Sequence, residues 1–184
     1  GTTKQAGSLN NLSGAVRVTL LKNVTDFART FSSTDALAGN FVLDLGGHTL
    51  SGKTNASSQV MTIAVPMTIT NGTIVYASSD ENYGAILTND NVTFDASVTV
   101  DGGVGYALWT SGYGKTVAFN GTAVTSGAYA ITGNGAENGG LVADCSLVVG
   151  ESANISAANG IAIYHPMLGT VTVNGGKISG HTGI

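Results

Sequence analysis

Charge is what this sequence has least of. Charged residues make up 10% of its 184 residues, against roughly a quarter in an ordinary soluble domain. Seven basic residues are scattered along the chain, and the formal net charge is −4. No stripe of them can neutralise a run of phosphates, which argues against nucleic acid as a partner. Cysteine occurs once, at Cys145, so no intramolecular disulfide can form and the cysteine count does not decide the compartment. Within the strand-like run Leu141-Val142-Ala143-Asp144-Cys145-Ser146-Leu147, the thiol reads as a small buried apolar group rather than a nucleophile. No signal peptide or run of about 20 apolar residues is present, so no membrane insertion is expected. Proline occurs only twice, whereas glycine occurs 27 times. Glycine and asparagine supply the positive φ angles that tight turns need. With 42% apolar residues, the composition suits many short strands joined by turns, not helices and not a disordered tail.

The positive signal is a repeat. Leu45-Gly46-Gly47-His48-Thr49-Leu50 returns as Ile69-Thr70-Asn71-Gly72-Thr73-Ile74, Phe94 to Val100, Phe119-Asn120-Gly121-Thr122-Ala123-Val124, Val149 to Ile155, and Val173-Asn174-Gly175-Gly176-Lys177-Ile178. The first apolar residues of these units are separated by 24, 25, 25, 30 and 24 positions, and the last by 24, 26, 24, 31 and 23. A third column, Ile63, Ile86, Leu108, Ile131 and Ile163, steps by 23, 22, 23 and 32. All three columns slip together at one insertion. Repeats of this length are stacked supersecondary units, none able to bury its apolar side alone.

Three apolar columns per period predict three short strands per coil. Equivalent strands stack in parallel about 4.8 Å apart, and parallel crossovers are almost always right-handed. The expected fold is all-β: a right-handed parallel β-helix, or β-solenoid, of about six to eight coils of 22–26 residues. It forms a single domain over residues 1–184, with a coil or capping region over 1–40. Six coils make a rod about 30 Å long. Val18-Thr19-Leu20 begins an earlier coil, 25 positions before Leu45. The stretch Thr25 to Leu37 lacks the turn pattern and is expected to be a short helix or a loop covering the N-terminal edge. Gly183-Ile184 matches Gly160-Ile161, so another coil is expected to follow, or a partner to cover that end.

Alternation assigns the two sides of the third strand. Ile86, Leu108, Ile131 and Ile163 are uniformly apolar and should point inward. Ala85, Ala107, Ala130 and Ala162, with Leu87, Trp109, Thr132 and Tyr164, should point outward. Trp109 and Tyr164 then lie two coils apart, about 10 Å, beside a flat alanine surface. Such a platform suits stacking on the apolar face of a sugar. Tyr113, and Asn134, Glu137 and Asn138 of the insertion Gly133 to Gly140, would supply hydrogen bonds. The structural alternative is that the inserted loop or a neighbouring domain covers the rings.

Leu43 to Gly52 followed by Ile69 to Ile74 resembles the pectate-lyase-like β-helix superfamily. Val18-Thr19-Leu20-Leu21-Lys22-Asn23-Val24-Thr25 is similar to the opening of such domains in bacterial surface proteins. The resemblance covers about residues 16–184 and implies the fold more than an activity. Its members include pectate lyases, polygalacturonases, other polysaccharide-cleaving enzymes, phage tailspikes and non-catalytic adhesins. A lyase needs converging acidic oxygens for calcium and a basic residue. Here Asp80-Glu81 and Asp90 are the nearest approach, while Arg17 and Arg29 both lie near the N-terminus. A hydrolase needs paired carboxylates, and the family carries a Gly-His-Gly segment. Gly180-His181-Thr182-Gly183 has an extra residue, and Asp44, Asp95 and Asp101 fall at turns of different coils.

No ligand-spacing motif joins His48, His165 and His181, so neither metal nor cofactor is expected. Seven Asn-x-Ser/Thr sequons follow automatically from asparagine in turns before threonine or serine in strands. A threonine ladder for ice is broken, since Thr68 and Thr70 recur only at Thr170 and Thr172. The expected function is a non-catalytic, secreted or cell-surface module binding a glycan or a host surface protein. The alternatives are a polysaccharide lyase or hydrolase with its catalytic part outside or degenerate here, and a structural spacer.

Overall fold

The computed structural model describes residue 9 and residues 12–39, 41–133 and 143–182. It is a parallel β-solenoid of about six turns. The first face stacks Arg17–Thr19, Val42–Asp44, Met67–Thr70, Val92–Phe94, Thr116–Phe119, Ser146–Val149 and Val171–Val173 as one seven-stranded sheet. The second stacks Val24–Phe27, Thr49–Gly52, Gly72–Val75, Val98–Asp101 and Thr122–Thr125, then the long strand Asn154–Ile163 and Lys177–Thr182. The third stacks Arg29–Phe31, Met61–Ile63, Gly84–Thr88, Tyr106–Thr110 and Tyr129–Gly133, and ends on that same long strand. Asn154–Ile163 thus bends across two faces without a break and joins them into one twelve-stranded sheet.

Inward columns build the core. On the first face Leu43, Ile69, Phe94, Phe119 and Val149 pair in register and are buried, and the column continues to Val173, which is 49% exposed. The Phe94 and Phe119 rings lie 5.1 Å apart at 46°. On the third face Ile86, Leu108, Ile131 and Ile163 are in register and at most 2% exposed. The burial pattern follows the two-residue period of a strand: Met67–Thr70 alternates buried and half-buried positions.

Three registers differ from the spacing read in the sequence. Ile69 pairs with Leu43, not Leu45. Leu45 sits at the corner of its coil, fully buried, because its turn runs through Gly46 and Gly47 with His48 N–H donating to Leu45 O at 2.8 Å. In the next coil the corner comes sooner, at Asn71 (φ 58°) and Gly72 (φ 154°). A Cβ on Gly72 would meet Leu45 Cβ and His48 O at 2.5 Å. Likewise Ile86 pairs with Met61, and Ile63 with Thr88. Both slips are of two residues, which keeps the same side inward. The third is of one residue: Val100 pairs with Ala123, leaving Val124 outward against Asp101 and half-buried.

The stretch Thr25 to Leu37 is coil rather than cap. Val24–Phe27 and Arg29–Phe31 join the second and third faces, and a single 3₁₀ turn, Ser33–Asp35, follows. Phe27 and Phe31 are 9% and 0% exposed, so burial of two aromatic rings outweighs the missing turn motif. Arg29 pairs with Asp35 and lies 4.9 Å over the Phe31 ring.

Side chains pin the corners, between first and second faces at Asn23 and Asn120 and between third and first at Asn91. Asn23, Asn91 and Asn120 each accept, through Oδ1, a backbone N–H one coil further on: Thr49 at 3.0 Å, Thr116 at 2.8 Å and Ser152 at 2.8 Å. Three of the sequon asparagines are therefore engaged in stacking the rungs.

Candidate functional site

The third face carries the aromatic residues. Gly84, at the start of its strand, is in register with Tyr106. A Cβ there would lie 2.5 Å from Tyr106 Cδ2, so the missing side chain is what lets that ring settle across the strand. The Tyr106 ring meets Trp109 edge-on, centroids 5.2 Å apart and planes at 71°. Gln59 Nε2 donates to the Tyr106 hydroxyl at 3.0 Å. Burial, with the Tyr76 and Tyr83 phenols nearby, pushes the Tyr106 hydroxyl up to about 12. Trp109 is half-buried.

One coil on, Tyr129 stacks against Tyr164, centroids 5.2 Å apart and planes at 27°. Tyr164 extends the ladder, its N–H donating to Ile131 O at 2.9 Å, and it is 44% exposed. Trp109 pairs with Thr132, so Trp109 and Tyr164 stand two rungs apart, about 10 Å. Neither ring packs on the other: each takes a different tyrosine as its neighbour. Nor is the alanine floor open, since Ala85, Ala107, Ala130 and Ala162 are at most 1% exposed. A methyl group between taller side chains lies below their tops, which closes the floor. Tyr113, in the turn after Thr110, is 51% exposed. Asn134, Glu137 and Asn138 lie outside the described residues.

Tyr106 and Tyr129 are what the sequence pattern passed over. They lie 23 positions apart, as do Leu108 and Ile131, and that shared step was the available signal. Leu168, 74% exposed on the corner after Tyr164, is another unflagged apolar group.

The carboxylates that a catalytic reading draws on hold turns and ion pairs. Asp44, Asp95 and Asp101 accept from the N–H two residues on, at Gly46 (2.9 Å), Ser97 (2.7 Å) and Gly103 (2.9 Å). Asp44 also pairs with Arg17 at 2.6 Å. Burial would raise its pKa, but Arg17, the Gly46 N–H and Asn71 outweigh that and hold the carboxyl below its ordinary value. Asp90 pairs with Lys115 at 2.8 Å. Asp80 accepts from the side chain and N–H of Asn82, at 2.9 and 3.1 Å, which lowers its pKa. Among the described residues no three His, Cys, Asp or Glu side chains form a metal-holding group. His48 follows a first-face strand, His165 follows the third face and His181 lies within the second-face strand Lys177–Thr182; His165 Nε2 lies 3.0 Å from Gly169 O. Cys145 is fully buried, and burial pushes its thiol up to about 11. On the first face Thr68, Thr93, Ala118, Val148 and Thr172 form one outward column, so Ala118 and Val148 interrupt the threonines. No helix among the described residues is long and apolar enough to cross a membrane.

The class defined by this geometry is the parallel β-solenoid. Compared with known proteins, the chain matches no family model, no curated protein and no solved structure.

Proposed function

We propose that this chain is a non-catalytic β-solenoid module, secreted or held at a cell surface, that binds a glycan through the aromatic strip on its third face. The observation that carries the reading is Tyr164, 44% exposed yet stacked on Tyr129. A ring already held by a neighbour loses little freedom when a sugar stacks on it, and aromatic rings pair an apolar face with a polar edge. Trp109, braced by Tyr106, stands two rungs away on the same strip and offers a second stacking surface. The engagement of Asp44, Asp90, Asp95 and Asp101 in turns and ion pairs supports a binding role over a cleavage role. The resemblance to bacterial β-helix adhesins agrees with this reading.

The test is a glycan array probed with wild type, Tyr164→Ala and Trp109→Ala. The expected result is wild-type binding that falls at least about tenfold in Tyr164→Ala, equivalent to 1.4 kcal/mol. Absence of binding by wild type overturns the glycan reading. Product release from acidic polysaccharides by the wild-type chain overturns the non-catalytic one.

A further inference from the structure

Asparagine stands directly before glycine six times, at Asn71, Asn120, Asn134, Asn138, Asn159 and Asn174. Four of these pairs, at Asn71, Asn120, Asn159 and Asn174, lie among the described residues. Such a pair has the parts to modify itself, because glycine carries no Cβ to shield its nitrogen from the neighbouring side chain. Two freedoms set the rate. The asparagine side chain must turn its Cγ toward the glycine nitrogen, and that nitrogen must leave any hydrogen bond it makes. Each tie has to be broken first and adds to the barrier. We infer that Asn174-Gly175 is a self-modification site, where the chain converts asparagine to aspartate and isoaspartate through a cyclic imide without an enzyme. The inference does not rest on the aromatic strip.

Exposure does not single out Asn174, since Asn71 and Asn159 are exposed as well. Hydrogen bonding does. Asn71 donates Nδ2 to Asp44 Oδ1 at 3.3 Å, and the Gly72 N–H donates to Ser97 O at 3.1 Å, so both members of that pair are held. Asn120 Oδ1 accepts the Ser152 N–H at 2.8 Å, and Asn159 Nδ2 donates to Ser126 O at 3.0 Å. Asn174 occupies the same corner as Asn120. Its N–H donates to Val149 O at 2.9 Å, as the Asn120 N–H does to Phe94 O at 3.0 Å. Yet neither the Asn174 side chain nor the Gly175 N–H has a hydrogen-bond partner among the described residues. The backbone entering the corner is fixed while both reacting groups are free. In the reaction the Gly175 nitrogen gives its proton to solvent and attacks Asn174 Cγ. The Cγ–Nδ2 bond breaks, and Nδ2 leaves as ammonia. Water then opens the imide at either carbonyl: attack at Cγ leaves aspartate, and attack at the Asn174 backbone carbonyl leaves isoaspartate. Either product adds one negative charge to a chain whose formal net charge is −4.

The experiment incubates the folded full chain in mildly alkaline buffer made with heavy-oxygen water and maps its peptides by mass spectrometry over time. The label enters when the imide opens, so it marks only conversion during the incubation. The expected result is labelled aspartate and isoaspartate at Asn174, accumulating at least about tenfold faster than at Asn71, Asn120 or Asn159. In urea the four rates are expected to draw together, because the ties that separate them are gone. Ser152→Pro removes the N–H that holds Asn120 and is expected to raise conversion there at least about tenfold. Equal rates at the four sites of the folded chain overturn the inference, as does aspartate without isoaspartate, which rules out the imide. A lead for Asn174 that persists undiminished in urea assigns it to local sequence and overturns it too. So does an unchanged rate at Asn120 in a Ser152→Pro variant that melts like wild type. Should that proline prevent folding, the comparison of folded and urea-unfolded wild type decides alone.

Discussion

Phe94 and Phe119, one coil apart on the first face, pack their rings 5.1 Å from centre to centre inside the solenoid. Both are at most 1% exposed. Each ring therefore fills space that two coils share, and its removal weakens both. Phe119→Ala is expected to cost about 3–5 kcal/mol and Phe119→Leu much less, because leucine refills most of the volume. Urea denaturation followed by circular dichroism measures the difference; equal costs for the two variants would contradict shared packing.

Gly72 and Gly47 test the corners. Both have positive φ, but a Cβ meets Leu45 and His48 at 2.5 Å only at Gly72, and meets nothing within 4 Å at Gly47. Gly47→Ala is expected to cost about 1–2 kcal/mol, the backbone penalty alone. Gly72→Ala is expected to cost clearly more, since the clash adds to that penalty. Comparing the two melting temperatures decides it.

Asp44 predicts an acid-side loss of stability. Its folded pKa lies below the ordinary value, so the unfolded chain takes up the proton first, near pH 3.9. The contribution is complete above that pH and drains away as pH falls through the lower folded value. Melting temperatures recorded between pH 2 and 6 are expected to fall more steeply for wild type than for Asp44→Asn. Parallel curves would remove Asp44 from the account.

Tyr106 predicts the opposite limb. Its hydroxyl is pushed up to about 12, whereas the unfolded chain ionises near 10. Between those values the folded state holds the extra proton, so stability falls as pH rises. Tyr106→Phe removes that slope. At neutral pH it costs about 0.5–1.5 kcal/mol for the lost bond to Gln59. Tyr164→Ala, by contrast, is expected to change thermal stability by little more than about 1 kcal/mol, because Tyr164 is already 44% exposed and lies outside the core.

Cys145 offers a clock for opening. The thiol is fully buried and pushed up to about 11, so an aromatic disulfide reagent at pH 8 is expected to react only as fast as the coil around it opens. Reaction in denaturant should be faster by orders of magnitude, and equal rates would place the thiol at the surface.

The coil architecture was legible because aliphatic columns with a common period leave few other ways to bury them. Register was less so. Leu43 and Leu45 are both apolar, two apart and on one side, and spacing alone cannot choose which pairs with Ile69; the longer Gly46-Gly47 corner does. Val124 looked like core by size, yet the corner before Ala123 is shorter, and the small residue faces inward. Trp109 and Tyr164 stood out as large rings out of phase with the core. Their neighbours Tyr106 and Tyr129 did not, because which ring leans on which depends on side-chain direction across strands.

The rungs also set how such a rod answers tension. Their hydrogen bonds run parallel to the long dimension, so a pull applied lengthwise opens each layer like a zipper, one layer at a time and at modest load. A pull applied crosswise along a strand strains many bonds of a layer at once, and the same material then resists as a stiff body.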